Sequence, residues 1–487
     1  MRYPVPLLVA ATLLAFAAEA AESPLPLADC RISDVDGLVS TAARCGKLEV
    51  PENPAEPEGR KIALAVAVVP AVAAKAKPDP VVLIAGGPGQ GSIEGFAPLL
   101  DAFAGLRRER DLLLVDQRGT GGSNRLDCDI PDDALETGDI PPARLAALAR
   151  DCLAKLPGRA GFYTTSVAVR DLEAVRAALG YERLNLFGGS YGTRVAQHYA
   201  RRYPERTRTI TLDGVVPPGL ALVPRIAIES QRALDGVFAR CAADAACNSR
   251  FPALPQQLAK LDAALRKAPA AIRLADPLTA KPREGQFTRS ALVAAIRLLL
   301  YSPATASLLP LLVHEAATNG NVVPLAAQAE MAGEALEQAI AFGMHNSVVC
   351  AEEAPRFGES ADRAALEATL IGPQMVDGMA AICGVWPRGP VDEDFAQPLR
   401  SDVPALLLSG EFDPATPADW GARAAAGFSD VRHLVFPGQA HGQERLRCAQ
   451  RIIRQFVDAG TATSLDTACV DEIRPAPFFL SFSGSAP

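Results

Sequence analysis

The stretch Gly188-Gly189-Ser190-Tyr191-Gly192 decides how this chain is read. An apolar run over 183–187 precedes it, and residues 191–202 have helical spacing after it. A serine at such a strand–turn–helix junction stands exposed at the end of a buried strand. The turn is too sharp for large neighbours, so Gly188 and Gly192 sit where side chains would strike the adjacent strand and helix. The helix start adds free N–H groups and a partial positive charge near any anion formed there. Ser190 is therefore read as a nucleophile. The bland alternative is a chance Gly-x-Ser-x-Gly in an Ala- and Gly-rich chain, and the flanking strand and helix weigh against it.

Working outward, residues 61–69 are β-like, and Val81-Val82-Leu83-Ile84 is a short apolar run ending in glycines. Further strands are predicted at 111–115, 183–187 and 207–212, with helices at 167–179 and 191–202. Short apolar strands separated by helices predict a parallel sheet covered on both faces. The alternation stops near Pro217 and gives way to Ala- and Leu-rich helical spacing. It resumes with strands at 404–408 and 432–436 and a helix at 443–458. Residues 21–57 read as irregular, and 474–487 show no clear pattern. With the serine motif, this predicts an α/β-hydrolase fold: a doubly wound, mostly parallel sheet with an inserted, mostly helical cap domain. The expected division is 1–20 signal peptide, 21–216 first part of the core, 217–398 cap and 399–487 C-terminal part of the core.

A serine needs a base, and the base needs an orienting acid. In this fold their order along the chain is Ser, acid, His. Of the five histidines, His198 lies in the helix after the motif, His314 and His345 lie in the insertion, and His433 lies inside a strand. His441 follows the last strand in a loop, Pro437-Gly438-Gln439-Ala440-His441-Gly442, as a base requires. The acid should follow the preceding strand, where Ser409-Gly410-Glu411-Phe412-Asp413-Pro414 stands. Asp413 is the choice and Glu411 the runner-up. Gly86-Gly87-Pro88-Gly89 follows the 81–84 strand, and its glycines allow backbone to approach a substrate carbonyl. The N–H groups of Gly87 and Tyr191 are the expected oxyanion pair. Asp116-Gln117-Arg118-Gly119 is read as architectural, tying loops by hydrogen bonds and an ion pair. No metal or organic cofactor is implied.

The formal net charge of −8 and the lack of a long basic run argue against nucleic acid as a partner. Residues 2–20 read as a secretory signal: Arg2, an apolar run, then small residues at Ala18 and Ala20. The run is too short to span a bilayer comfortably, so no stable membrane span is expected after its removal. The ten cysteines fall into sequence-local neighbours: Cys30 and Cys45, Cys128 and Cys152, Cys241 and Cys247, Cys350 and Cys383, Cys448 and Cys469. In an oxidising compartment these read as disulfides, most simply neighbour with neighbour, although spacing alone leaves other pairings open. The setting expected is exported: periplasm or medium of a bacterium.

Taken together, Gly86-Gly87-Pro88-Gly89, Asp116-Gln117-Arg118-Gly119, Gly189-Ser190-Tyr191-Gly192-Thr193 and residues 404–441 resemble the proline iminopeptidase branch of the α/β-hydrolases. Within it they look most like secreted bacterial tripeptidyl aminopeptidases. Ala85 stands where proline iminopeptidases usually carry His, which favours the tripeptidyl or broader relatives. The resemblance implies a serine peptidase releasing one or a few residues from the free N-terminus of a peptide. Such an enzyme must recognise an α-ammonium group. Glu352 and Glu353 are the candidate carboxylates, on a segment that a Cys350–Cys383 bridge would hold over the site; the alternative is two solvated surface acids. Two other functions stay open: a carboxylesterase on small acyl esters, and a non-catalytic binding protein of the same fold.

Overall fold

The computed structural model describes residues 25–128, 140–275, 281–360 and 362–485. The signal-peptide reading of residues 1–20 lies outside them. A nine-stranded sheet is built from β1 (Ala28–Ser33), β2 (Ser40–Pro51), β3 (Lys61–Val69), β4 (Val81–Ile84), β5 (Leu112–Val115), β6 (Leu184–Gly189), β7 (Thr207–Asp213), β10 (Ala405–Gly410) and β11 (Val431–Phe436). Its spatial order is β1-β2-β3-β5-β4-β6-β7-β10-β11. From β5 to β11 every neighbouring pair is parallel, while β1, β2 and β3 join antiparallel at one edge. The expected α/β-hydrolase sheet is therefore present.

Its centre is buried on both faces, which is why the runs at β4 and β5 are continuously apolar rather than alternating. One face packs against helices Thr165–Ala178 and Tyr191–Arg202. The other receives helix Arg447–Ala459, whose Ala449, Ile452, Ile453, Phe456 and Val457 form one buried stripe at i, i+3, i+4 spacing. Gly460, at φ 70°, ends that helix in the left-handed region a side chain disfavours.

The segment expected to be irregular holds β1 and β2 instead. Of their residues only Ile32, Ala43 and Val50 are buried, so no run of alternating apolar residues marks these strands in sequence. Backbone pairing and the Cys30–Cys45 disulfide hold them. All five cysteine pairs join neighbour to neighbour.

Between β7 and β10 the chain leaves the sheet. Among the described residues its regular elements are helices apart from one hairpin, β8 (Ala270–Ala275) with β9 (Pro282–Phe287). It has an apolar cluster of its own, including Leu234, Phe238, Phe251, Leu292 and Leu312. Phe478, from the patternless C-terminal stretch, packs into that same cluster, with Arg240 over its ring at 3.9 Å. Among the described residues, no helix is long and apolar enough to cross a membrane.

Candidate active site

β6 ends at Gly189, and Ser190 follows at φ 55°, ψ −124°. A non-glycine residue there is strained, so its surroundings must hold it. They do so through the main chain. Ser190 N–H donates to the carbonyl oxygen of Asp213, at the end of β7, at 2.8 Å. The Thr193 hydroxyl donates to the Ser190 carbonyl at 2.6 Å. The flanking glycines are obligatory. A Cβ on Gly188 would lie 2.4 Å from the Gly192 carbonyl oxygen, and one on Gly192 would lie 2.3 Å from that of Ile84.

The loops after β10 and β11 bring Asp413 and His441 together, with His441 Nδ1 2.8 Å from Asp413 Oδ2. Asp413 is fully buried. Its Oδ1 accepts the N–H groups of Ala415 and Thr416 at 2.9 and 2.8 Å, and Oδ2 accepts the Thr416 hydroxyl at 2.8 Å. Burial pushes the Asp413 carboxyl up, but the charge and hydrogen bond of His441 and these N–H groups outweigh it and hold it below its usual range. His441 is the mirror case: burial pulls it down, and the charge and hydrogen bond of Asp413 win, holding it above its ordinary value. Glu411 is turned elsewhere, accepting the Gly438 N–H at 2.7 Å.

Gly214, just past Asp213, connects the two halves of this arrangement. It takes φ 68°, and a Cβ on it would lie 2.9 Å from His441 Cε1. The strand end that accepts the Ser190 N–H therefore runs directly against the imidazole. Tyr301, from the inserted segment, completes the surroundings of His441. Its carbonyl accepts the His441 N–H at 3.1 Å, and its ring meets the imidazole edge-on with centroids 5.1 Å apart.

Gly86 also packs on the serine, since a Cβ there would come within 2.8 Å of Ser190 Cβ. The Gly86–Gly89 loop thus lies beside the serine. Gly87 takes φ 105°, a conformation side chains rarely adopt. Tyr191 is the first residue of the helix that follows Ser190. Its buried hydroxyl is 2.5 Å from Thr165 Oγ1 and accepts from Gln117 Nε2 at 3.1 Å. Asp116 accepts the N–H groups of Ile93 and Gly122, both at 2.8 Å. Arg118 makes a two-pronged pair with buried Asp171 at 2.6 and 2.7 Å. The ion pair of this loop is therefore to Asp171, a residue not singled out in the sequence.

The remaining histidines serve elsewhere. His198 is buried against Asp392 at 2.9 Å, and His433 Nε2 lies 3.0 Å from Ser409 Oγ. His314 is 3.1 Å from Gln257. His345 alone of these reaches the Gly86–Gly89 loop, with its Nδ1 3.1 Å from the Pro88 carbonyl oxygen.

Glu352 and Glu353, the candidate carboxylates for a substrate amine, are buried rather than solvated surface acids. Both are 1% exposed. Glu352 accepts the Thr165 N–H at 2.6 Å and the Thr165 hydroxyl at 2.9 Å. Glu353 pairs with buried Arg194 at 2.7 Å and accepts the N–H groups of Leu222 and Val223 at 2.8 and 3.2 Å. Every carboxylate oxygen has a protein partner, because burial of a charge is tolerated only with such compensation. Burial pushes the Glu352 carboxyl up to about 7.

Residues that sequence reasoning passed over include Asp213, Thr416, Tyr301 and His345. Asp213 carries a detectable signal: an acid as the last residue of a largely buried strand. Thr416 carries a weaker one, a hydroxyl three residues after an acid in a turn. Tyr301 and His345 carry none, because only the path of the inserted segment brings them here.

Residues 79–290 match a family model described as alpha/beta hydrolase fold, and 368–469 match one described as TAP-like protein. The chain is 27% identical to the serine protease Hip1 of Mycobacterium tuberculosis, over 92% of this chain and 91% of that one. It is 28% identical to a tripeptidyl aminopeptidase of Streptomyces lividans, over 42% of this chain and 40% of that one. A proline iminopeptidase of Xylella fastidiosa is 31% identical over 28% of this chain and 32% of its own length.

Proposed function

We propose that this serine hydrolase of α/β-hydrolase fold is an exported serine exopeptidase releasing one or a few residues from free peptide N-termini. The observation that carries the reading is the strained Ser190 elbow beside the Asp413–His441 pair at 2.8 Å. The relatives support the substrate class, because two of them are named as aminopeptidases or iminopeptidases.

In the proposed reaction Ser190 Oγ attacks the scissile carbonyl carbon while His441 Nε2 takes the hydroxyl proton. Asp413, bonded to Nδ1, fixes the tautomer and offsets the positive charge that forms on the imidazole. The tetrahedral oxyanion is held by the N–H groups of Gly87 and Tyr191. Collapse breaks the C–N bond, and the leaving amine takes the proton from His441. Water then attacks the acyl carbon as His441 takes its proton, and collapse breaks the C–O bond to Ser190, whose oxygen regains that proton. The cap of this proposal is residues 217–398, and the core is the rest of the mature chain.

A substrate ammonium could reach Glu352 or Glu353 only by displacing Thr165 or Arg194. Amine recognition is therefore tested on the substrate rather than on a chosen acid. Tripeptidyl and aminoacyl arylamides with free N-termini should be cleaved, and N-acetylated versions should lose most of that rate. Equal rates on both would remove the exopeptidase reading. Ser190→Ala should abolish turnover and fluorophosphonate labelling while leaving the unfolding temperature unchanged. Full activity in that variant would refute the nucleophile.

A further inference from the structure

The loop proposed to hold the oxyanion does not stand on the core alone. Residues 340–345 of the inserted segment run alongside it. Gln90 and Ile340 pair as an antiparallel bridge. Ala341 N–H donates to the Gly89 carbonyl at 3.0 Å. His345 Nδ1 donates to the Pro88 carbonyl at 3.1 Å. The approach is close: a Cβ on Gly89 would lie 2.9 Å from the Ala341 carbonyl oxygen, and one on Gly87 would lie 3.0 Å from Ile340 Cδ1. The same segment is anchored at its other side, where Met344 N–H donates to the Leu126 carbonyl at 3.2 Å.

The carbonyls of two consecutive loop residues, Pro88 and Gly89, are thus hydrogen-bonded to the inserted segment, and Gln90 lies opposite Ile340 in the bridge. A glycine-rich loop has little to define its own conformation, and an oxyanion donor works only when its N–H is already aimed. We infer that residues 340–345 set the aim of the Gly87 N–H, and that His345 is a positioning residue for the reaction. The inference rests on the oxyanion role proposed above for Gly87. His345 does not touch the reacting atoms; it acts through the Pro88 carbonyl, one residue from Gly87. The carbonyl acceptor requires that the Nδ1–H tautomer be present.

The test compares His345→Leu, which removes the donor, with His345→Asn, whose side-chain N–H can take the place of Nδ1–H. A free-amine tripeptidyl arylamide and p-nitrophenyl acetate serve as substrates, with fluorophosphonate labelling of Ser190 as a third readout. His345→Leu should lower kcat by about 10- to 100-fold, less than the ~10²–10³ seen when an oxyanion donor is deleted outright. KM should change less than about threefold, and His345→Asn should regain most of kcat. Should His345→Leu fail to fold, Ala341→Pro replaces it. It deletes the N–H that reaches Gly89 at a residue whose φ of −77° suits proline. It should give the same kcat-selective loss. Unchanged kcat in a folded donor-deletion variant would overturn the inference, as would a loss carried mainly by KM. A wild-type chain that neither labels nor turns over either substrate would instead sink the serine-hydrolase reaction itself, and this inference with it.

Discussion

Asp213 takes the backbone N–H of Ser190 on its carbonyl oxygen at 2.8 Å. Its carboxylate Oδ2 accepts the N–H groups of Gln443 and Glu444 at 2.7 and 3.0 Å, just past His441. One fully buried residue therefore ties the strained serine to the loop that carries the imidazole.

Burial, and the Glu444 carboxylate beside it, push the Asp213 carboxyl well above its usual range. Its work in this contact is to accept hydrogen bonds, not to carry charge. Asp213→Asn keeps an acceptor for both N–H groups and should hold kcat/KM within about threefold. Asp213→Ala strands two buried donors, each worth about 1–3 kcal/mol, and should cut kcat/KM by tenfold or more. Steady-state kinetics on the two variants decide this. An Asn variant as impaired as the Ala variant would mean that the charge is needed.

Asp413 raises His441, and a general base must be neutral to act. Activity should therefore fall as pH drops through the raised value, with the acidic limb of kcat/KM centred above 6.5. Asp413→Asn removes the charge that raises His441, so any residual activity should have its acidic limb at lower pH. Its kcat should drop by about 10⁴, the scale seen when this acid is neutralised in a serine protease. A pH–rate profile measures both effects. An acidic limb that stays in place in the variant would detach it from the Asp413–His441 pair.

Glu352 makes a prediction about stability. Its carboxyl titrates near 7 in the folded chain and near 4.5 when unfolded. The unfolded chain then releases its proton first as pH rises, so this group's stabilising contribution is complete below about 4.5 and lost by about 7. Glu352→Gln keeps an acceptor for the Thr165 N–H but does not titrate. Urea midpoints should fall from pH 4.5 to pH 7 more steeply in the wild type than in the variant. Parallel curves would place the proton elsewhere.

The disposition of these groups separates what is local from what is not. Ser190 was legible because an elbow is a local object: a buried strand, a turn that excludes Cβ atoms at Gly188 and Gly192, and a helix start. Asp413 and His441 were legible from order alone, since a parallel sheet delivers its loops to one edge in a fixed sequence. Strands β1 and β2 were not legible, because with only Ile32, Ala43 and Val50 buried they offer no apolar period to read. The burial of Glu352 and Glu353 was not legible for a related reason. Two adjacent acids look alike in sequence whether they meet water or a buried arginine, and only the placement of Arg194 and Thr165 decides between these.

By itself, then, the order of residues along this chain determined the buried parallel strands, the elbow and the order of the loops that follow them, since each follows from burial, backbone sterics or chain order. Tertiary structure alone decided what surrounds them. Asp213 spans 230 positions to reach Gln443, and His345 spans 257 to reach Pro88. A hydrogen bond falls off within a fraction of an ångström, so contacts between segments this far apart exist only once packing has brought them together.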